Sequence, residues 1–160
     1  DWAKHENENV RYFSGTGVYS TRFAWNGLIK NERVKLNLGK VCVIAAVNVN
    51  GVDCGVLWKE PFSADITAAL HTGENHVEIS VANTWHNRLI GDEQYPDDTG
   101  VMPSGLLKGW PEWMLKNQPR PEQRRTTLVT NKQKEAMKSS SLQTSGLLGP
   151  VTLVVEHVLK

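Results

Sequence analysis

Hydrophobic and polar residues alternate along most of this chain with a period of two, the pattern of half-buried strands, and only briefly with the period of a helix. In YSTRFAW, residues 19 to 25, the alternation puts Tyr19, Thr21, Phe23 and Trp25 on one face. VKLNLGKVCVIAAVNV opens with Val34, Leu36 and Leu38 set against polar neighbours. Gly39 interrupts, and the apolar run from Val41 to Val49 predicts a central strand. Asn50-Gly51 supplies the two positive φ values of a type I′ turn, so the chain returns as a hairpin through VDCGVLW. Pro61 ends that strand, and a short turn or single helical turn is predicted around Asp65 to Leu70. Gly73-Glu74-Asn75 launches another strand, with Val77, Ile79 and Val81 on one side and His76, Glu78 and Ser80 on the other. TTLVT (126 to 130) and PVTLVVEHVL (150 to 159) are two more strand candidates.

The texture changes over residues 91 to 125, where Pro96, Pro103, Pro111, Pro119 and Pro121 stand among Gly, Asp and Trp. A long irregular loop inserted into the domain is predicted, and loops of that length in compact domains are usually functional or disordered. Its one helical hint is WPEWMLKNQ, with Pro111 at a first helical position and Glu112 near the positive end of the helix dipole. Residues 131 to 145, NKQKEAMKSSSLQTS, lack apolar periodicity and read as an exposed mobile loop. Residues 1 to 9 read as an N-terminal extension, which leaves 10 to 160 as a single domain. Short strands, frequent turn signals and at most a short helix describe an all-β fold: a two-sheet β-sandwich or jelly roll.

Charge narrows the partners. Eighteen basic and 17 acidic residues, spread along the chain, give a formal net charge of +1, too little to build a field for nucleic acid or an anionic membrane. No stretch approaches the roughly 20 apolar residues of a membrane span. DWAKHENENV lacks the basic-then-apolar order of a secretory signal, so the chain reads as cytosolic or as a processed piece of something larger. Cys42 and Cys54 cannot make a zinc cage by themselves. The hairpin pairing places Cys54 opposite Val47, five residues from Cys42, so two half-buried free thiols are expected. His5, His71, His76, His86 and His157 show no metal-binding spacing.

Four motifs then come in order: G-x-x-x-Y-x-x-x-F (Gly15, Tyr19, Phe23), V-x-V-N-G (Val47 to Gly51), P-F-x-x-D-I-T (Pro61 to Thr67) and G-E-N followed by alternating residues to Asn83. Together they resemble the sugar-binding jelly-roll domain of family 2 glycoside hydrolases, a galactose-binding-domain-like fold. NRLIGDEQ, GWPEW and SGLLGPV are more specifically similar to the C-terminal module of large bacterial α-L-rhamnosidase-type hydrolases of family 106. The resemblance runs from Val10 to about Val155. It implies a non-catalytic accessory domain of a multi-domain, secreted or periplasmic enzyme, with carbohydrate and the catalytic domain of the same polypeptide as partners. The catalytic carboxylates would sit on a separate barrel of about 250 residues.

Mechanical readings stand beside each motif. Gly51 serves the hairpin, Asp65 accepts backbone N–H groups at a turn, and Gly73-Glu74-Asn75 makes another tight turn. Asp92, Glu93, Asp97 and Asp98 are the carboxylates a self-contained hydrolase would use, yet Asp92 and Glu93 point in opposite directions on an extended chain. The resemblance also raises a structural calcium: GDEQYPDDTG has the ligand types without EF-hand order, and a surface acidic turn is the alternative. No other cofactor is implied. Sugar contact rests on Trp58, Lys59, Trp85, His86, Asn87, Arg88, Asp92, Trp110 and Trp113, which join aromatic faces to charged and amide groups. In the alternative, Trp58 and Trp85 cap the core, Arg88 and Asp92 form an ion pair across the loop, and Trp110 and Trp113 share one face of a helix packed on the sandwich. In a third reading the same aromatics form an interface to a catalytic domain, and the chain is a docking domain without glycan affinity.

Overall fold

The computed structural model describes residues 1–27, 31–96, 99–100, 102–104, 106–119, 125–127, 136–137 and 139–157. It divides into two compact units, the first comprising Asp1, Gly15–Thr84 and Thr144–Lys160, the second Trp2–Ser14 and Trp85–Gln143. The strand candidate at 126 to 130 lies partly outside the described residues, as do 131–135 and 138 of the segment read as mobile.

The first unit holds the sheets. Its strands are β1 (Thr16–Trp25), β2 (Glu32–Asn37), β3 (Lys40–Cys42), β4 (Ile44–Val49), β5 (Val52–Leu57), β6 (Ser63–Asp65), β7 (Gly73–Ala82), β8 (Gly146–Gly149) and β9 (Thr152–His157). A four-stranded sheet runs β1-β7-β4-β5, a three-stranded one β6-β2-β9, and β3 pairs with β8; the strand ladders are antiparallel. This is the all-β sandwich that the alternation predicts. Its core is built from the inward positions of the period-two strands: Val34 and Leu36 of β2, Ala45, Val47 and Val49 of β4, and Val77, Ile79 and Val81 of β7 are all buried. Burying each of the larger ones contributes about 1.5–3 kcal/mol.

The predicted hairpin is present, with Asn50 and Gly51 at φ 53° and 81° and Val49 paired with Val52. Cys42 and Cys54 are free and half-buried, and burial pushes the Cys54 thiol up from its ordinary value. The central strand differs from expectation. The run from Val41 to Val49 is two strands in two sheets, because β3 pairs with β8 and β4 with β5 and β7. Val41 and Ala45 are buried while Val43 and Ile44 are exposed, so the chain changes sheets at Val43, as strands do at sandwich corners. A residue of the same apolar character marks the break, and the pattern therefore hides it.

The family-like motifs turn out to be fold locks. Asn50 Nδ2 donates to Asn75 Oδ1 at 2.7 Å and to the Ala69 carbonyl at 2.8 Å, while Asn50 Oδ1 accepts the His76 amide at 2.8 Å. Fully buried Asn75 also accepts from the His71 amide and donates to the His71 and Gly73 carbonyls. The hairpin turn and the start of β7 are thereby one hydrogen-bonded unit. Thr67 donates its hydroxyl (2.6 Å) and its amide (3.0 Å) to Asp65 Oδ1, and its Oγ1 accepts the Val34 amide at 2.8 Å. Those bonds from Thr67 hold the Asp65 carboxyl below its ordinary value.

In the second unit, a 3₁₀ turn at Trp2–Lys4 and α1 (Glu8–Arg11) are followed, after β7, by α2 (His86–Asp92) and α3 (Glu112–Leu115). Trp2 and Phe13 meet edge to face with centroids 5.5 Å apart. Of the helices, α3 falls where WPEWMLKNQ predicts one. By contrast, α2 replaces the extended chain expected around Asp92, for it begins without a side-chain cap and carries Gly91 near its end.

Candidate functional site

Helix α2 carries four of the candidate residues, His86, Asn87, Arg88 and Asp92, and the structure buries Asn87 and Asp92. Asn87, 2% exposed, pairs with the backbone of one residue: its Nδ2 donates to the Gln143 carbonyl at 2.7 Å and its Oδ1 accepts the Gln143 amide at 2.8 Å. His86 Nε2 lies 3.0 Å from the Ser141 carbonyl. The fully buried Asp92 accepts three bonds on Oδ2, from the Thr126 amide (2.9 Å), the Thr127 amide (2.6 Å) and the Thr127 hydroxyl (2.6 Å). Its Oδ1 lies 2.9 Å from Arg88 Nε, one helical turn earlier. Glu93, just past the helix, meets Arg125 at 2.6 Å, and Arg125 is 2% exposed. A buried charge is tolerated only when paired and hydrogen-bonded, as these two carboxylates are.

Gly91 completes this arrangement. A Cβ there would lie 2.6 Å from Tyr12 Cγ and 2.7 Å from Tyr12 Cβ, so only glycine lets the helix backbone approach that ring.

Asn87, Arg88 and Asp92 are accordingly framework rather than rim. The ion pair of Arg88 and Asp92 exists, but along a helix at i,i+4 spacing rather than across a loop. Asp92 and Glu93 do not diverge on an extended chain: Asp92 is fully buried, the Glu93 side chain is 8% exposed, and each is committed to its own guanidinium, whereas a glycosidase needs carboxylates a sugar can reach. Asp97 and Asp98 lie outside the described residues. Among the described residues no group of three or more His, Cys, Asp or Glu could hold a metal ion. Asp92, the buried carboxylate of GDEQYPDDTG, already has both oxygens engaged. Arg125 is the participant that sequence reasoning misses, since its partner lies 32 positions away across a proline-rich stretch.

The aromatic residues behave differently. Trp85 is 58% exposed, so it does not cap a core. Trp110 is exposed as well and precedes α3, whose N-cap is the buried Pro111; only half-buried Trp113 lies in the helix, so the two rings do not share a helical face. In the first unit, Trp58 follows β5 and is 67% exposed, again not a core cap. Lys59 Nζ stands 5.3 Å from the Trp58 ring centroid, a cation–π contact on an open indole. Beside it, Val56, Leu57, Trp58, Lys59, Glu60 and Pro61 line a cleft of about 180 Å³. Glu60 and Pro61 also border a larger cleft, of about 460 Å³, with Asn37, Gly39 and Phe62.

The β-sandwich, its hairpin lock and its D-I-T turn coincide with a known family over most of the sequence. Residues 2–127 match the family described as glycosyl hydrolase 2 galactose-binding domain-like. The chain belongs to this family. A curated relative from Formosa agariphila, named "Putative beta-glucuronidase", is 44% identical over 156 residues, which is 96% of this chain and 13% of that protein. The solved rhamnosidase from Novosphingobium sp. PP1Y is 35% identical and superposes with a TM-score of 0.67 over 97% of this chain and 12% of its own. The chain thus spans about an eighth of each relative and is, by family and size, an accessory module of the glycoside hydrolase type.

Proposed function

We propose that this galactose-binding-like domain is a non-catalytic part of a larger glycoside hydrolase that contacts carbohydrate through the Trp58–Lys59 corner. The observation that carries the reading is the open indole of Trp58 beside a cleft that holds Lys59 and Glu60. An aromatic face accepts the C–H side of a sugar ring, and a flanking ammonium and carboxylate serve its hydroxyls. The relatives' size supports the accessory role: a barrel of about 250 residues would have to lie elsewhere in the polypeptide. A glycan array followed by calorimetric titration tests the reading. Binding should fall at least tenfold in Trp58→Ala and survive Glu93→Gln; no binding to any glycan would refute it.

A second reading has its own support. Across the outer face of the four-stranded sheet, Val18, Ser80, Ala46 and Val56 lie in one row, and Val18 and Val56 are 62% and 58% exposed. Two exposed valines flanking half-buried Ser80 and Ala46 suit a surface covered by another domain. On this reading the module braces the catalytic domain of the same polypeptide, and Val18→Lys, outside the Trp58 cleft, would weaken that association while leaving glycan binding intact.

A further inference from the structure

The two larger sheets end in β1, β5, β6 and β9, and the first three of these outer strands carry features that discourage further pairing. Strand β6 is three residues long and ends at Asp65. Strand β5 holds Asp53 and, at Gly55, a φ of 102°. Strand β1 presents exposed Ser20, Thr21 and Arg22 in its middle. Strand β9 has none of these: Thr152–His157 contains no proline, glycine or lysine, pairs among the described residues with β2 alone, and is exposed at every position. Leu153 and Val155 stand opposite the buried Leu36 and Val34, so they belong to the row that faces the core, yet they are 36% and 41% exposed. Val154, on the other face, is exposed as well. A strand apolar on both faces has the pattern of one that is buried on both. The side of β9 away from β2 is where its cover would attach.

We propose that β9 is a self-association edge, through which two copies of this chain pair antiparallel across a two-fold axis and join their β6-β2-β9 sheets into one. The sequence of the strand selects a second copy as the occupant. In an antiparallel ladder, opposite residues either both bond to the neighbouring strand or both do not. A copy of β9 can therefore oppose β9 only in registers centred on a residue. Centred on Val154, the strand is self-complementary: Val154 opposes Val154, Leu153 opposes Val155, and Thr152 opposes Glu156. Apolar residues then meet apolar ones, and a hydroxyl meets a carboxylate, pairs that stabilise a sheet. Lys35, 2.9 Å from Glu156, keeps that carboxylate compensated. One step either way spoils the match. Centring on Leu153 sets Val154 against Thr152 and brings Pro150, which has no N–H, against Glu156. Centring on Val155 sets Glu156 against Val154 and His157 against Leu153. In the Val154 register the same patch is used twice, as a two-fold contact requires, and Leu153 of each copy covers Val155 of the other. The contact is one strand wide, at the small end of specific interfaces, so the association depends on concentration.

The test is sedimentation equilibrium of the 160-residue chain across about 1 μM to 1 mM, the span of weak to moderate association. The average mass should rise toward that of two copies as concentration increases. Val154→Lys and Val154→Glu each set like charges face to face at the axis, and each should raise the midpoint concentration at least tenfold. A one-to-one mixture of the two should associate again, as pairs of unlike variants. Val18→Lys, at an exposed valine of the other sheet, should leave the midpoint unchanged. If the charged variants unfold, Val154→Cys keeps the register testable, because it is a small change at an exposed position. Opposite residues lie about 4.5–5.5 Å apart at Cα, within disulfide reach. A thiol oxidant should therefore link Val154→Cys chains in pairs and leave the wild type and Thr152→Cys unlinked. A single-copy mass at every concentration, association undiminished in Val154→Lys, a mixture of folded variants that stays monomeric, or equal linking of Thr152→Cys overturns the proposal. Loss of association in Val18→Lys but not in Val154→Lys would place the contact on the four-stranded sheet and refute it equally.

Discussion

Arg88 Nε and Asp92 Oδ1 stand 2.9 Å apart on one side of α2, and the carboxylate is fully buried. Asp92 simultaneously accepts three bonds from Thr126 and Thr127, so one side chain ties the helix to residues 34 and 35 positions later. Removing one partner of a buried charged pair strands the other and costs about 3–5 kcal/mol. Asp92→Ala should lower the free energy of urea unfolding by that order. A loss below about 1 kcal/mol would show that the pair is not part of the framework.

The Gly91–Tyr12 approach makes a second prediction. Gly91→Ala forces a methyl group into the Tyr12 ring and into Arg88 Nη2, 2.8 Å from the added carbon, and overpacking of this kind costs about 1–3 kcal/mol. Because residues in contact are not additive, the same substitution made in a Tyr12→Gly background, which removes both clashing Tyr12 carbons, should cost measurably less. Equal costs in the two backgrounds would contradict the packing.

Asn50 and Asn75 form a third testable pair. Asn75→Ala leaves the His71 amide and two carbonyls without their partner, and each buried orphan costs about 1–3 kcal/mol. The melting temperature should fall clearly in Asn75→Ala and in Asn50→Ala, and the double variant should fall by less than the sum. Strict additivity would separate the two side chains energetically.

Acid should loosen the turn before β7. The Asp65 carboxyl is held below its ordinary value of 3.8, chiefly by the Thr67 hydroxyl and then by the Thr67 amide. A group whose folded value is depressed contributes stability that is complete above the unfolded value and is lost as pH falls through the folded one. Asp65→Asn should therefore lower the urea midpoint near neutrality, where the ionised carboxyl contributes fully, and the difference from wild type should shrink as pH falls below 3.8, which flattens the acid decline. An unaltered acid limb would mean that the Thr67 bonds do not hold the ionised carboxyl.

Much of the sandwich is legible in the sequence because its signals are local. Asn50-Gly51 dictates a turn by its φ angles alone, and Val77, Ile79 and Val81 declare a buried face by their spacing. The division at Val43 is not legible, since an exposed valine inside an apolar run looks like its buried neighbours. Nor is α2 legible: its Arg88–Asp92 spacing fits a helix, but there is no capping side chain, and the partners that stabilise it, Thr126, Thr127 and Gln143, are 34 to 56 positions away. The polar cluster at the start of that helix resembles an active site for the same reason it makes a good framework. It concentrates charges and amides that need partners, and the fold supplies those partners internally. The tryptophans show the converse, because spacing places Trp58 at a strand end without revealing that it faces solvent.

The measurement that bears most directly on the account is a calorimetric glycan titration of the wild type, Trp58→Ala and Glu93→Gln, each compared at equal folded fraction. Retained affinity in Glu93→Gln with at least a tenfold loss in Trp58→Ala is the predicted result, because recognition is assigned to the open indole and Glu93 to the buried framework. Binding that survives Trp58→Ala and disappears in Glu93→Gln would contradict it.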